Sequence, residues 1–233
     1  MKAVIKNMIK NDRKYTCVMF DLDGTLLDSL EDMQNAVNLT MDEFGCPRHS
    51  LEDIRSYIND GSYMLIKRAL PESIRNNDQE VKKIHARYLE TYLENVNIKT
   101  HIYDGTKELA KRLKSEGYTL AVVSNKPDSC TKELIKYFYG DVFDYVSGSG
   151  LGLPTKPDRR CVDIAVEKTG ADINRLIYVG DSHVDVQTAH NAGVPCVGVT
   201  WGFHGANGFG EYKPDFYADN IEQLYAIITS DKA

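Results

Sequence analysis

The pattern of apolar and polar positions changes character twice along the chain. Cys17 to Phe20 is an unbroken apolar run with the length and make-up of a strand buried on both faces. It stops abruptly at Asp21-Leu22-Asp23-Gly24-Thr25. After Asp28-Ser29, either of which can cap a helix, Leu30, Met33, Ala36, Val37 and Met41 form an apolar stripe that ends at Gly45-Cys46-Pro47. Leu51, Ile54, Tyr57 and Ile58 predict a second helix, and Met64, Leu65, Arg68 and Ala69 a third. Ile84, Tyr88, Tyr92 and Leu93 predict a fourth, between Val81 and Val96. From about residue 29 to 98 the pattern contains helices and no strand.

Strands then return and alternate with helices. Asp104-Gly105 opens a helix through Leu109 and Leu113, closed by Gly117. Leu120–Val123 is a buried strand that runs into Ser124-Asn125-Lys126-Pro127, and Pro127 suits the first turn of a helix through Leu134, Ile135 and Phe138. A weaker strand, Phe143–Val146, is followed by Lys156-Pro157 and a helix through Val162, Ala165 and Val166. Ile177–Val179 ends on Gly180-Asp181-Ser182 before a helix through Val186 and Ala189, and Val197–Val199 is one more strand. The glycine-rich stretch 202–210 reads as a long surface loop before Asp215–Ala218 and a last helix. Such alternation predicts an α/β fold, a Rossmann-like doubly wound parallel sheet, with a helical cap domain inserted after the first strand. The chain divides into an N-terminal extension (1–14), a core (15–28 and 99–233) and the cap (29–98). A helical insertion beside a ligand crevice is placed to act as a lid.

Composition narrows the partners. A hydrophobic content of 42% over 233 residues is enough for one large globular core. The net charge of −6 provides no basic field for nucleic acid, though a local cationic pocket remains open. Five scattered cysteines without a CxxC read as apolar fillers in a reducing compartment, which points to the cytoplasm. The absence of an apolar run near 18 residues argues against a membrane span. The extension carries Lys2, Lys6, Lys10, Arg13 and Lys14 but lacks the apolar core of a secretory signal, so it reads as a loosely docked or frayed segment. Both a monomer and a small homo-oligomer are compatible with this sequence.

Ligands of open α/β sheets sit beyond the carboxyl ends of the strands. Those ends bring together Asp21 and Asp23, Ser124 and Asn125, the loop bearing Lys156, and Asp181 with Asp185. Like charges about 4 Å apart repel by roughly 4 kcal/mol at an effective dielectric of about 20, which a divalent cation would relieve. An all-oxygen ligand set favours Mg²⁺. The hydroxyl, amide and lysine are natural phosphate binders. A cation, an anion cradle and a spare carboxylate together describe phosphoryl transfer through an aspartyl-phosphate.

With these residues in place the chain resembles the haloacid dehalogenase superfamily, from about Tyr15 to its end. Asp21-Leu22-Asp23-Gly24-Thr25 matches the first motif, Ser124-Asn125-Lys126 the second, Lys156-Pro157 the third and Gly180-Asp181-Ser182-His183-Val184-Asp185 the fourth. In the cap, Asn59-Asp60-Gly61, Leu65 and Arg68-Ala69-Leu70 are most similar to phosphoglycolate phosphatases and their relatives. The resemblance implies Asp21 as nucleophile and metal ligand, and Asp23 as acid and base that offers its backbone carbonyl to the metal. It implies Ser124 and Asn125 at the phosphate, Lys156 as countercharge, Asp181 on Mg²⁺ and Asp185 orienting that site. Thr25 would hydrogen-bond near the nucleophile.

The expected substrate is a small phosphorylated metabolite. Arg68 is positioned to pair with a compact carboxylate such as that of 2-phosphoglycolate. Lys126 adds electropositivity beside the main charge of Lys156. His183 reads as an exposed helix-start residue, and Trp201-Gly202-Phe203-His204 as loop packing. Competing readings are a phosphomutase of the beta-phosphoglucomutase type, a dehalogenase, a non-enzymatic phospho-acceptor, and a phosphatase for pyrophosphate, nucleotides or sugar phosphates. The mutase reading is disfavoured because Leu26 to Asn38 contains no histidine.

Overall fold

In the computed structural model, which describes residues 13–150 and 152–230, the first apolar run forms β1 (Cys17–Phe20), buried along its whole length. It pairs in parallel with β4 (Thr119–Pro127) on one side and β6 (Leu176–Gly180) on the other. Beyond β4 lies β5 (Tyr145–Ser149), and beyond β6 lie β7 (Cys196–Val199) and β8 (Phe216–Ala218). The resulting six-stranded sheet runs β5-β4-β1-β6-β7-β8, with every pair parallel. Side chains alternate across it, as a two-residue period requires. Val18 and Phe20 join a core with Leu109, Leu113, Leu134 and Leu224 from α6 (Thr106–Ser115), α7 (Asp128–Tyr139) and α10 (Ile221–Thr229). Cys17 and Met19 join a second core with Val162, Ala165, Val186 and Ala189 from α8 (Arg160–Thr169) and α9 (His183–Ala192).

Three details differ from the sequence expectation. The weak strand expected at Phe143–Val146 lies slightly later in the chain, at β5. Phe216–Ala218 adds an edge strand to the sheet. The stretch 202–210 is not a simple surface loop, because it forms a 3-10 turn (Gly205–Phe209) whose Phe209 is buried in the core. Gly198 makes this possible: a Cβ there would lie 2.6 Å from the Phe209 ring, so the missing side chain leaves the space the ring fills.

Between β1 and β4 the chain builds α1 (Leu30–Glu43), α2 (Leu51–Tyr57), α3 (Gly61–Ala69), α4 (Glu72–Arg75) and α5 (Asp78–Glu94). α1 and α3 both pack on α5, with Val37, Met41, Ile66, Ile84 and Tyr88 among the buried contacts. The two crossings between this helical segment and the sheet are fastened together. β2 (Leu27–Asp28) pairs antiparallel with β3 (His101–Ile102), a ribbon too short to leave a periodic signal in the sequence. Beside it the buried Asp32 accepts backbone N–H bonds from Lys99 at 2.9 Å and Thr100 at 2.7 Å. This ribbon ties together the two places where the chain leaves the sheet for the helical segment and returns from it.

Residues 1–12 of the basic extension lie outside the described residues. Arg13 is docked, donating to the Glu116 carbonyl at 3.0 Å with its guanidinium 4.5 Å from the centre of the Tyr118 ring. All five cysteines are free and buried. Among the described residues no helix is long and apolar enough to cross a membrane.

Candidate active site

Because β1 lies between β4 and β6, its end places Asp21 between Ser124 and Asp181. Asp21 continues the ladder, its N–H donating to the Val179 carbonyl at 2.9 Å. Lys156 enters from the loop after β5, its Nζ 2.7 Å from Asp21 Oδ1 and 2.7 Å from Asp185 Oδ1. Asn125 fixes that loop: its amide donates to the Lys156 carbonyl at 3.0 Å and its Oδ1 accepts the Lys156 N–H at 2.7 Å. Asp185 closes a capping box at the start of α9, accepting from Ser182 N at 3.1 Å and Ser182 Oγ at 2.6 Å.

Charge is concentrated here with little water to screen it. Burial, with the Asp185 charge second, pushes Asp21 up to about 7 against the opposing pull of Lys156. Burial, then Asp185 and Asp21, holds Asp181 well above the ordinary carboxylate range. Burial alone would lower Lys156, but the Asp185 and Asp21 carboxylates outweigh it and keep the ammonium charged.

Carboxylate oxygens of Asp21, Asp181 and Asp185 lie within 4.8 Å of one another. Three buried carboxylates facing one lysine leave excess negative charge, and the hard oxygen donors fit a divalent cation. The walls around Asp181 support that fit. Gly24 and Gly202 flank it so closely that a Cβ at either position would overlap its carboxylate, and the Phe203 N–H donates to Asp181 Oδ2 at 3.2 Å. Gly24 also sits at φ +82°, which favours glycine.

The other expected site residues are placed less uniformly. The Asp23 carboxylate faces Ser29 and Lys126 and stands outside the acidic trio, which leaves its backbone carbonyl for the expected metal contact, while Asp185 brings its carboxylate into the trio beside Asp21 and Asp181. Lys126 is a buried partner of Asp23 at 2.9 Å, more central than its sequence suggested. Ser124 is buried at the cleft floor, where its Oγ accepts the Lys126 N–H at 3.2 Å. Both ends of the Asn125 amide are occupied by Lys156 backbone, which makes it a holder of that loop. The Thr25 hydroxyl is buried without a hydrogen-bond partner among the described residues, contrary to the expected contact near the nucleophile. Its carbonyl accepts from the Trp201 indole at 3.1 Å, so the loop after β7 braces the first motif.

Arg68 does not face the cleft: it donates to the Tyr57 carbonyl at 2.7 Å and pairs with Asp60. The Asp60 carboxylate supplies the anion that Arg68 was expected to find in a substrate. His183 is half-buried and stacks on Tyr212, ring centres 6.2 Å apart. Sequence reasoning undervalued Gly202 and Phe203, although their position just after a strand end was a usable signal.

Above these groups lies a cleft of about 590 Å³, its open mouth included. The core contributes Asp21, Asp23, Ser124, Asn125, Lys126, Lys156 and Phe203, and the cap contributes Met33, Ile58, Asn59, Ser62, Leu65, Tyr88 and Tyr92. Ser62 Oγ is held by His85 Nε2 at 2.9 Å. Asn59 sits in the left-handed region at φ 90°.

Known proteins match this chain over most of its length. The family model of haloacid dehalogenase-like hydrolases covers residues 18–199. A phosphoglycolate phosphatase of Haemophilus influenzae is 34% identical over 222 residues, spanning 92% of this chain and 99% of its own. One from Aliivibrio fischeri is 32% identical over 217 residues, spanning 91% and 96%. A crystal structure from Lactobacillus delbrueckii, assigned provisionally as a phosphoglycolate phosphatase, superposes at a TM-score of 0.85 with 28% identity, covering 93% of this chain and 99% of that one. With four polar strand ends gathered under one cleft and matches of this extent, the chain belongs to the haloacid dehalogenase-like hydrolases, in the branch that resembles phosphoglycolate phosphatases.

Proposed function

We propose that this phosphatase hydrolyses a small phosphomonoester by passing the phosphoryl group to Asp21 and then to water, with Mg²⁺ held by the carboxylates of Asp21 and Asp181 and the backbone carbonyl of Asp23, and with Asp185, whose oxygens are taken by Lys156 and Ser182, orienting that site. The observation that carries this reading is the buried trio with Lys156 Nζ 2.7 Å from two of its members, at the floor of a covered cleft. An Asp21 oxygen attacks phosphorus and the bond to the leaving oxygen breaks, its electron pair staying on that oxygen. Asp23 protonates the leaving alkoxide. The same carboxylate then takes a proton from the water that attacks the aspartyl-phosphate, releasing phosphate and restoring Asp21. Lys156 holds positive charge against the nucleophile and the transferring oxygens, while Ser124 Oγ and neighbouring backbone N–H groups bind those oxygens. When bound, the cation supplies charge neutralisation for the phosphoryl oxygens.

The names of the relatives support 2-phosphoglycolate as substrate. Asn59 and Ser62 are the cap groups within the cleft best suited to its carboxylate, in place of Arg68. Free, buried thiols support a reducing, cytoplasmic setting. The mutase alternative draws no support from the cleft, since none of its lining residues is a histidine.

Phosphate release from a panel of phosphorylated metabolites tests the reading. Activity should require Mg²⁺, favour 2-phosphoglycolate, and fall by at least ~10³-fold in Asp21→Asn. Full activity in excess EDTA, or Asp21→Asn within tenfold of wild type, would refute the mechanism. A preference for nucleotides or hexose phosphates would refute the substrate.

A further inference from the structure

Asp23 is gripped from both sides of the cleft. Its Oδ1 accepts from Ser29 Oγ at 2.5 Å and from Lys126 Nζ at 2.9 Å, and Oδ2 lies 3.1 Å from the same Nζ. Lys126 comes from the end of β4 in the core. Its other partner comes from the cap: the hydroxyl oxygen of Tyr92 on α5 accepts a hydrogen bond from Nζ, and the centre of the same ring lies 4.6 Å from it. The Lys126 side chain is 1% exposed, and so is Tyr92. An ammonium buried this completely needs every partner it has, so its position and that of the carboxylate it holds are tightly set. Tyr92 is itself held in place by stacking on Tyr88, ring centres 5.5 Å apart and planes at 14°.

We propose that Lys126 and Tyr92 are positioning residues for Asp23, a pair split between core and cap that aims the acid–base carboxylate only when the cap is seated. This rests on the reading of Asp23 as acid and base given above. Tyr92 moves with the cap, so a raised cap leaves Lys126 with one partner fewer and Asp23 with a looser hold. Proton transfer is thereby tied to a covered substrate, as a lid enzyme requires.

A pair that merely fastens the cap would impair all substrates alike. A pair that aims a general acid would matter most where the leaving oxygen needs its proton. An alkyl alkoxide leaves poorly unless protonated, whereas 4-nitrophenolate leaves without help, and kcat/KM reports this first transfer for both. In saturating Mg²⁺, Tyr92→Phe should lower kcat/KM about tenfold and Lys126→Gln about a hundredfold on the best alkyl phosphate of the panel, with less than about threefold loss on 4-nitrophenyl phosphate. Lys126→Arg should recover part of the alkyl activity. Tyr92→Phe keeps the ring stack, so it remains informative if a Lys126 variant misfolds, and circular dichroism melts identify that case. Equal losses on both substrates would overturn the proposal. Asp23→Asn serves as the reference. If it shows the leaving-group bias and the other variants do not, this inference alone fails. If it shows none, the acid role of Asp23 fails as well.

Discussion

Replacing Lys156 by Met keeps the length of the side chain and removes the charge that touches both Asp21 and Asp185. Those contacts are 2.7 Å each, and the side chains are 3%, 10% and 0% exposed for Lys156, Asp21 and Asp185, so water cannot take the ammonium's place. Breaking a buried pair of this kind costs about 3–5 kcal/mol, because it strands the remaining charge. For a chain of this size that is a fall in Tm of roughly 10 °C. The pH dependence gives a sharper test. In the folded metal-free protein Asp21 titrates at about 7, while an unfolded Asp titrates near its ordinary value of about 4. The folded state therefore binds more protons in this window, and stability falls as pH rises through it. Without Lys156 the folded carboxylate holds its proton to still higher pH, so the deficit of the variant should grow with pH. Thermal melts of both proteins in EDTA at about pH 5.5 and about pH 8 measure it. A deficit below about 1 kcal/mol, or one equal at both pH values, would refute the assignment of Lys156 as the buried countercharge. Turnover at saturating Mg²⁺ should fall about 10²–10³-fold in the same variant.

Under the proposed site, Mg²⁺ would displace the protons that Asp21 and Asp181 hold, so its stabilising shift in Tm should be larger at about pH 8 than at about pH 5.5, and an equal shift would place the cation elsewhere. Gly202→Ala pushes a methyl into the Asp181 carboxylate, so the Mg²⁺ concentration for half-maximal activity should rise about 10–100-fold. An unchanged activation curve would show that the loop after β7 does not brace the metal ligand. Arg68→Ala breaks only a partly exposed pair with Asp60 and a bond to the Tyr57 carbonyl, so stability should change by at most about 1 kcal/mol and kcat/KM by less than about threefold. A loss confined to 2-phosphoglycolate would return Arg68 to the substrate.

Much of this molecule was legible along the chain because its main signals are local. An apolar run such as Cys17–Phe20, set in a chain where strands alternate with helices, fits a strand buried on both faces of a parallel sheet, and Asp21, Ser124 and Asp181 each declare themselves by ending such a run. The same periodicities separated the helices from Leu30 to Glu94 from the alternating remainder. Features that depend on a few residues pairing across long separations left no trace: the ribbon of Leu27–Asp28 with His101–Ile102, the pairing of Phe216–Ala218 with the strand at Cys196–Val199, and the burial of Phe209 beside Gly198. The direction of each charged side chain was also invisible. Arg68 has the right type and place for a substrate, yet Asp60 in the preceding loop captures it. Asp23 follows Asp21 by two positions, yet it faces Lys126, 103 residues further on, because that ammonium and Ser29 are the donors within its reach. Sequence brings a carboxylate to the end of a strand; which way it turns depends on the distant donors that the packing of core and cap carries to it.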